Sequence, residues 1–213
     1  QSATLQLLTS EAPPHAQLRH RGGPQKVTLN SLVIDTSTTR TSCAVLAGSK
    51  LLFAGHHDGA TEHAEALPKL VAEALQIEKS IDQVVVGMGP GPFTGLRVGI
   101  VFGQTFATAR NIPWVGVCSL DGIDIDSPSY LVTTDARRKE IYLAKYANGE
   151  RVEGPSVGKP EEIATRSENK FGFGFTEPLF PSPHLLLAKS LAMNIREPFY
   201  LRRPDALPTS ERS

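Results

Sequence analysis

The sequence predicts an α/β fold of two related lobes, the second abridged, and three observations carry that reading. From Ser31 onward, short β-branched and apolar runs of strand length alternate with segments of helical period. A glycine-rich turn, Gly87 to Gly95, joins one such run to one such segment. A similar order then begins again after Cys118, and each half opens on a strand ending in aspartate, Asp35 in the first and Asp135 in the second.

Residues 1–27 stand apart as an N-terminal extension or linker, with paired prolines and scattered His and Arg; within them Leu5 to Leu8 is apolar enough to dock as an edge strand. The first lobe is drawn at 28–118. It opens with three runs, Ser31 to Ser37, Thr41 to Gly48 and Leu51 to His57, read as a meander with turns at Thr38-Thr39 and Gly48-Ser49. Leu67, Leu70, Val71, Ala74 and Leu75 then recur at helical spacing, so a helix is expected over 61–76, capped by Thr61, with Pro68 bending it or marking its first turns. A buried strand at Val84 to Val86, a helix from Thr94 to Arg110 and a strand from Trp114 to Cys118 finish the lobe.

The second lobe, 119–213, repeats the style. Tyr130 to Asp135 and Glu140 to Tyr146 read as strands, 154–170 as loop, and a helix is expected over Pro183 to Asn194 before an extended tail. The stretch 121–129 is too short for the helix a full repeat would place there. Duplicated β-β-β-α-β-α units are the ribonuclease H-like arrangement of actin, the sugar kinases and the heat-shock ATPases, the ASKHA fold.

Composition narrows the functional classes. At 213 residues and 40% hydrophobic content the chain can bury a real core. With 22 basic and 22 acidic residues it lacks the basic excess of an autonomous nucleic-acid binder, so any RNA contact needs a local patch or a partner. Cys43 and Cys118 lie in apolar runs and read as buried thiols in a reducing compartment. No run approaches the roughly 20 apolar residues of a membrane helix, and a cytoplasmic location is expected.

The glycine turn is where chemistry is expected. Glycine lets a ligand or another backbone come close, and a helix N-terminus attracts anions; Thr94 can cap the helix that follows. The turn has neither the Lys-Ser/Thr of a Walker loop nor the GxGxxG spacing of a dinucleotide fingerprint, and a rigid turn that only positions the helix is the competing reading. Asp35, Thr36 and Ser37, at the end of the first strand, offer a carboxylate and hydroxyls to a phosphate or metal-bound water, or simply form an Asx or Ser/Thr turn. Together Asp35, Thr36, Ser37, Gly89, Gly91, Thr94 and Gly95 are a candidate nucleotide site, read as vestigial for want of a second phosphate loop.

Other constellations are weaker. His56, His57, Asp58, Glu62, His63 and Glu65 crowd together without the spacing of an HExxH zinc helix, so metal is disfavoured. Asp135, Arg137, Arg138, Lys139 and Glu140 form a charged turn, which with Arg97 can meet a phosphate or carboxylate, or is merely solvated. Ser37, Ser42 and Ser119 lack any local His/Asp arrangement or GxSxG elbow. Gly95, Gly99 and Gly103 fall four apart on one helical face, a destabilising stripe that close packing must offset. Its neighbour is this chain's own sheet, another of its helices or a partner.

Taken together, VIDTSTTRTSCAV, TEHAEALPKLV, VVVGMGPGPFTGLRVGI, PWVGVCSLDGI, DARRKEIYLAKY and EPFYLRR resemble the bacterial TsaB (YeaZ) family, in order from Ser31 to Arg203. The resemblance implies an ASKHA protein that is a non-catalytic paralogue and partner of the catalytic TsaD subunit. The pair makes N6-threonylcarbamoyladenosine beside the anticodon of ANN-decoding tRNAs, and the ATPase TsaE joins it. It implies no cofactor for this subunit, ATP or ADP at most at the TsaB–TsaD interface, tRNA met through the complex, and a homodimer when the partner is absent. Two helices from each subunit build the shared interface, for which His63, Leu67, Leu70, Val71, Leu96, Gly99, Ile100 and Gly103 are the candidates. Pro92 departs from the Ser of the family's GPGSFTGLR signature. An ATPase or small-molecule kinase using Asp35 and the Gly89 to Gly95 loop is the alternative.

Overall fold

Strand β1 (Asn30–Asp35) runs through the middle of the molecule and is apolar on both faces because both are covered. It pairs antiparallel with β2 (Arg40–Ala47), which pairs antiparallel with β3 (Lys50–Asp58). On its other side it pairs parallel with β4 (Gln83–Gly87), and β4 pairs parallel with β5 (Trp114–Val117). The crossovers are α1 (His63–Ile77) and α2 (Phe93–Arg110), giving the order β3-β2-β1-β4-β5 expected of a ribonuclease H-like lobe. The computed structural model describes residues 28–202; the extension 1–27, with the docking expected of Leu5 to Leu8, and 203–213 lie outside the described residues.

Helices α1 and α2 cover one face of this sheet, burying Leu67, Leu70, Val71, Leu96 and Ile100 on Leu32, Ile34, Val45 and Val86. The opposite face, Val33, Ala44, Leu46, Val85 and Val117, is covered by Leu186 of α4 (Pro183–Ser190), which comes from the far end of the chain. The second sheet holds β6 (Ser129–Asp135), β7 (Ile141–Ala147), β8 (Glu150–Gly158) and β9 (Asn169–Gly172) in the order β8-β7-β6-β9. It repeats the antiparallel meander followed by a parallel strand. The abridgement is plain: the crossover helix α3 (Pro160–Ala164) has 5 residues against 15 in α1, and among the described residues no fifth strand follows.

Several local expectations change. Thr61 does not cap α1, whose N-cap is Glu62, and Thr94 lies inside α2, whose N-cap is Pro92; neither N-cap makes a side-chain capping bond. Pro68 sits within α1, where it removes a backbone bond without ending the helix. Residues 154–158 are strand rather than loop: β8 is an edge, where Pro155 can lack an N–H, and the register shifts opposite Leu143 to Tyr146 mark a bulge. Helix α4 stops at Ser190, four residues short of the expected Asn194.

Candidate functional site

Folding brings most of the candidate nucleotide set together, and its members bind one another. The Asp35 carboxylate is buried; Oδ1 accepts hydrogen bonds from Ser37 N (2.9 Å) and Ser37 Oγ (2.7 Å), and Oδ2 accepts one from Ser119 Oγ (2.6 Å). Ser119 Oγ in turn accepts from Gly89 N at 3.1 Å, which ties the glycine loop to the carboxylate. Burial pushes the Asp35 pKa above the ordinary carboxylate value, and the bonds from Ser119 and Ser37 offset only part of the rise. The glycines permit close approach, as expected, but what approaches is this chain: a Cβ on Gly91 would lie 2.4 Å from Ser37 O, and one on Gly87 1.8 Å from Asp35 Oδ2. Thr94 is exposed and takes no part.

Nearby, the cleft between the lobes is a cavity of about 140 Å³ between Thr38 and Thr39 on one side and Thr134 and Asp135 on the other, closed by Phe173, Pro178, Leu179 and Phe180. That is smaller than the roughly 300 Å³ at which small-molecule sites begin. Thr134 Oγ1, at its edge, is buried without a hydrogen-bond partner.

The glycine stripe corrects the expected partner face. His63, Leu67, Leu70, Val71, Leu96, Gly99, Ile100 and Gly103 are all buried within this one chain. A Cβ on Gly103 would meet Val86 Cγ2 at 2.6 Å, one on Gly99 would meet Thr36 Oγ1 at 2.4 Å, and one on Gly95 would meet the His63 ring at 3.1 Å. The stripe therefore brings α2 onto its own sheet and α1. Thr36 Oγ1 enters the helix there, donating to Gly95 O (2.8 Å) and accepting from Gly99 N (3.2 Å). His63 Nδ1 is 2.7 Å from Thr41 Oγ1, and burial, then the charges of Arg137 and His57, lower its pKa.

The exposed apolar surface lies on the other side of α2. A groove of about 740 Å³ runs along it, floored by Val98, Val101, Phe102, Thr105, Phe106 and Ala109 and walled by Ala64 and Pro68 of α1. Val101 is 54% exposed. Two cations edge the groove over aromatic rings, Arg97 5.3 Å from the Phe93 centroid and Arg110 4.6 Å from that of Phe106. Sequence reasoning missed these residues, although the signal was present: FTGLRVGIVFGQTFATAR is apolar almost all round, the pattern of a helix covered on more than one side.

The remaining candidates stay apart. His57 Nε2 pairs with Glu62 at 2.6 Å on the surface, and no group of three or more His, Cys, Asp or Glu among the described residues is placed to share a metal ion. Cys43 and Cys118 are free and buried, and burial pushes both thiols up to about 12. Among the described residues no helix is long and apolar enough to cross a membrane.

The family model described as TsaD, tRNA N6-adenosine threonylcarbamoyltransferase, matches residues 57–179. Uncharacterized proteins of Mycobacterium leprae and Mycobacterium tuberculosis are each 38% identical over 83% of this chain, which spans 56% of the former and 93% of the latter. The Escherichia coli tRNA threonylcarbamoyladenosine biosynthesis protein TsaB is 29% identical, covering 66% of this chain and 67% of its own length. The solved structure of YeaZ from Pseudomonas aeruginosa superimposes with a TM-score of 0.63 at 27% identity, over 77% of this chain and 90% of that one.

Proposed function

The chain belongs to the TsaB (YeaZ) family, and from that premise we propose that it serves in the synthesis of threonylcarbamoyladenosine on tRNA as the non-catalytic partner of a TsaD-like subunit. The observation that carries this reading is the groove on the outer face of α2. Both helices that form it fall within the region matched by the TsaD model, so a TsaD-like protein has the counterpart of the same helix pair to offer. Two related helix pairs meeting about a pseudo-two-fold axis bury both apolar faces, and two copies of this chain meet in the same way when the partner is absent. On this reading the expected four-helix interface is kept, but its contacts come from Val101, Phe102 and their neighbours.

The closed state of the Asp35 cluster supports a subunit that does no chemistry of its own, since the carboxylate and hydroxyls a nucleotide site would use are held by Ser37, Ser119 and Gly89. ATP or ADP, where the complex holds it, then sits between subunits, and a TsaE-like ATPase joins the pair. The assay is a reconstituted tRNA modification reaction in the cytoplasmic setting the sequence suggests. Val101→Glu places a charge in the groove and should leave melting unchanged while weakening the TsaD-like pairing by about 2–3 kcal/mol, roughly 30- to 150-fold, with loss of modified tRNA. Undiminished product when this chain is omitted would refute the partner role. ATP turnover by the chain alone, abolished in Asp35→Asn, would favour the ATPase reading.

A further inference from the structure

The charged turn singled out in the sequence takes a definite form. Arg137, Arg138 and Lys139 follow one another with φ of 63°, 52° and 63°, three consecutive side-chain-bearing residues in the left-handed region that glycine normally occupies. Such a backbone is unfavourable unless its surroundings hold it. Here Asp135 Oδ1 accepts from Arg137 N (2.7 Å), Glu140 N donates to Arg137 O (2.9 Å), and Ala136 N donates to Glu140 O (3.0 Å). Arg202 clamps the turn from outside, donating to Ala136 O at 2.7 Å and pairing with Glu140. The result is a rigid turn whose three cationic residues are all exposed.

This turn is continuous with the start of α2. Two residues before Arg202, Tyr200 packs on Phe93 with ring centroids 4.9 Å apart, and Arg97 lies over the other partner of that pair, Phe93. Phe199 N donates to Met88 O in the glycine loop at 2.9 Å, which ties the tail to that loop. Five cations, Arg97, Arg137, Arg138, Lys139 and Arg202, thus lie along one stretch of surface with two partly exposed aromatic rings, and two carboxylates face them within the turn: Asp135 pairs with Arg137 at 3.2 Å and Glu140 with Arg202. In a chain of zero net charge this is a marked local excess.

We propose that this patch binds RNA directly: the exposed cations take backbone phosphates, and Tyr200 offers a ring face to an unpaired base beside them. Interleaved cations and aromatics are what single-stranded RNA segments recognise, phosphates by charge and bases by stacking. The proposal rests on the reading that the substrate of the complex is tRNA. It makes this subunit a direct contributor to tRNA capture, with Arg97 placing the patch beside the groove where the TsaD-like subunit docks.

The test uses the full chain with its TsaD-like partner and an ANN-decoding tRNA transcript, with affinity measured by fluorescence anisotropy between 50 and 200 mM salt. The variant is Arg137→Asn/Arg138→Asn/Lys139→Asn, because asparagine tolerates the left-handed backbone and carries no charge. Losing three phosphate contacts should lower the slope of log affinity against log salt by about 2.1 to 2.7, so that the affinity lost over that salt range shrinks by about 20- to 40-fold. Lys50→Gln/Lys79→Gln, neutralising two exposed lysines elsewhere, should leave the slope as it is. Tyr200→Leu should weaken binding without altering the slope. Pairing with the TsaD-like subunit is titrated separately for each variant. An unchanged slope in the triple variant overturns the proposal while leaving the partner reading intact, and so does an equal fall in the lysine control. Loss of pairing with the RNA slope unchanged makes the patch a protein contact and also overturns it. If the wild-type chain forms no pair, the partner reading fails, and the same slopes on the chain alone decide the patch.

Discussion

Gly99→Ala adds one methyl group at the point where α2 meets β1, and its consequence follows from the Thr36 hydroxyl. That hydroxyl bridges Gly95 O and Gly99 N, the carbonyl and amide that an unbroken helix would pair with each other, and an alanine Cβ would lie 2.4 Å from it. The hydroxyl must leave, losing two hydrogen bonds at about 0.5–1.5 kcal/mol each, or the helix must lift from the sheet at an overpacking cost of about 1–3 kcal/mol. The gain in helix propensity, about 0.8–1.0 kcal/mol, offsets part of this. The net loss left from the upper half of these ranges, about 1–2 kcal/mol, corresponds to a fall of roughly 2–8 °C in melting temperature for a chain of this size. Differential scanning calorimetry of Gly99→Ala, Thr36→Ala and the double variant completes a cycle. Since Thr36→Ala removes the atom that clashes, the double variant should be more stable than additivity predicts, by at least 0.5 kcal/mol. Wild-type melting of Gly99→Ala, combined with weaker binding to the TsaD-like subunit, would mean that the stripe faces a partner after all.

Asp35 gives a pH signature whose sign is fixed by its raised pKa. The folded state holds the proton more tightly than the unfolded chain does, so this group's contribution to stability falls as pH rises from about 3.8 to the folded value and stays low above it. The difference in unfolding free energy between wild type and Asp35→Asn, measured in denaturant at each pH, isolates this contribution from the other carboxylates; a difference independent of pH would refute it. The thiols of Cys43 and Cys118, buried and shifted up to about 12, should resist iodoacetamide at pH 8 in the native protein and react on denaturation. Rapid labelling of the native chain would contradict their placement.

What the sequence disclosed follows from what local chemistry encodes. The β-branched runs around Val33 and Val85 marked central strands because a strand covered on both faces must be apolar on both, and the glycine turn marked the strand-to-helix junction because few other residues tolerate such close approach. Asp35, Ser37 and Gly89 were recognisable as a group with polar purpose, but residue type alone does not say that a carboxylate's partners are its neighbours rather than a ligand. The direction of the Gly95, Gly99 and Gly103 stripe was open for a related reason: with apolar residues on nearly every side of α2, period fixes which residues share a face and not which face meets the sheet. Strand β8 was hidden by Gly154-Pro155, a turn signal that an edge strand with a bulge can absorb. A helix was legible over Pro183 to Asn194, yet nothing local indicates that its cover is the sheet of the other lobe.

That crossing of α4 bears on how the protein is made. A ribosome delivering this chain has released every strand of the first sheet by Val117, but Leu186, which seals the Val33, Ala44, Leu46 and Val85 face, is still to come. The same late segment supplies Ile195 N to Gly116 O, along the free edge of β5, and Phe199 N to Met88 O. The second lobe is thus spliced between a sheet and its own lid. The nascent first lobe must wait with one apolar face and one strand edge uncovered, and cutting the gene at the lobe boundary yields two fragments that each lack something the other carries.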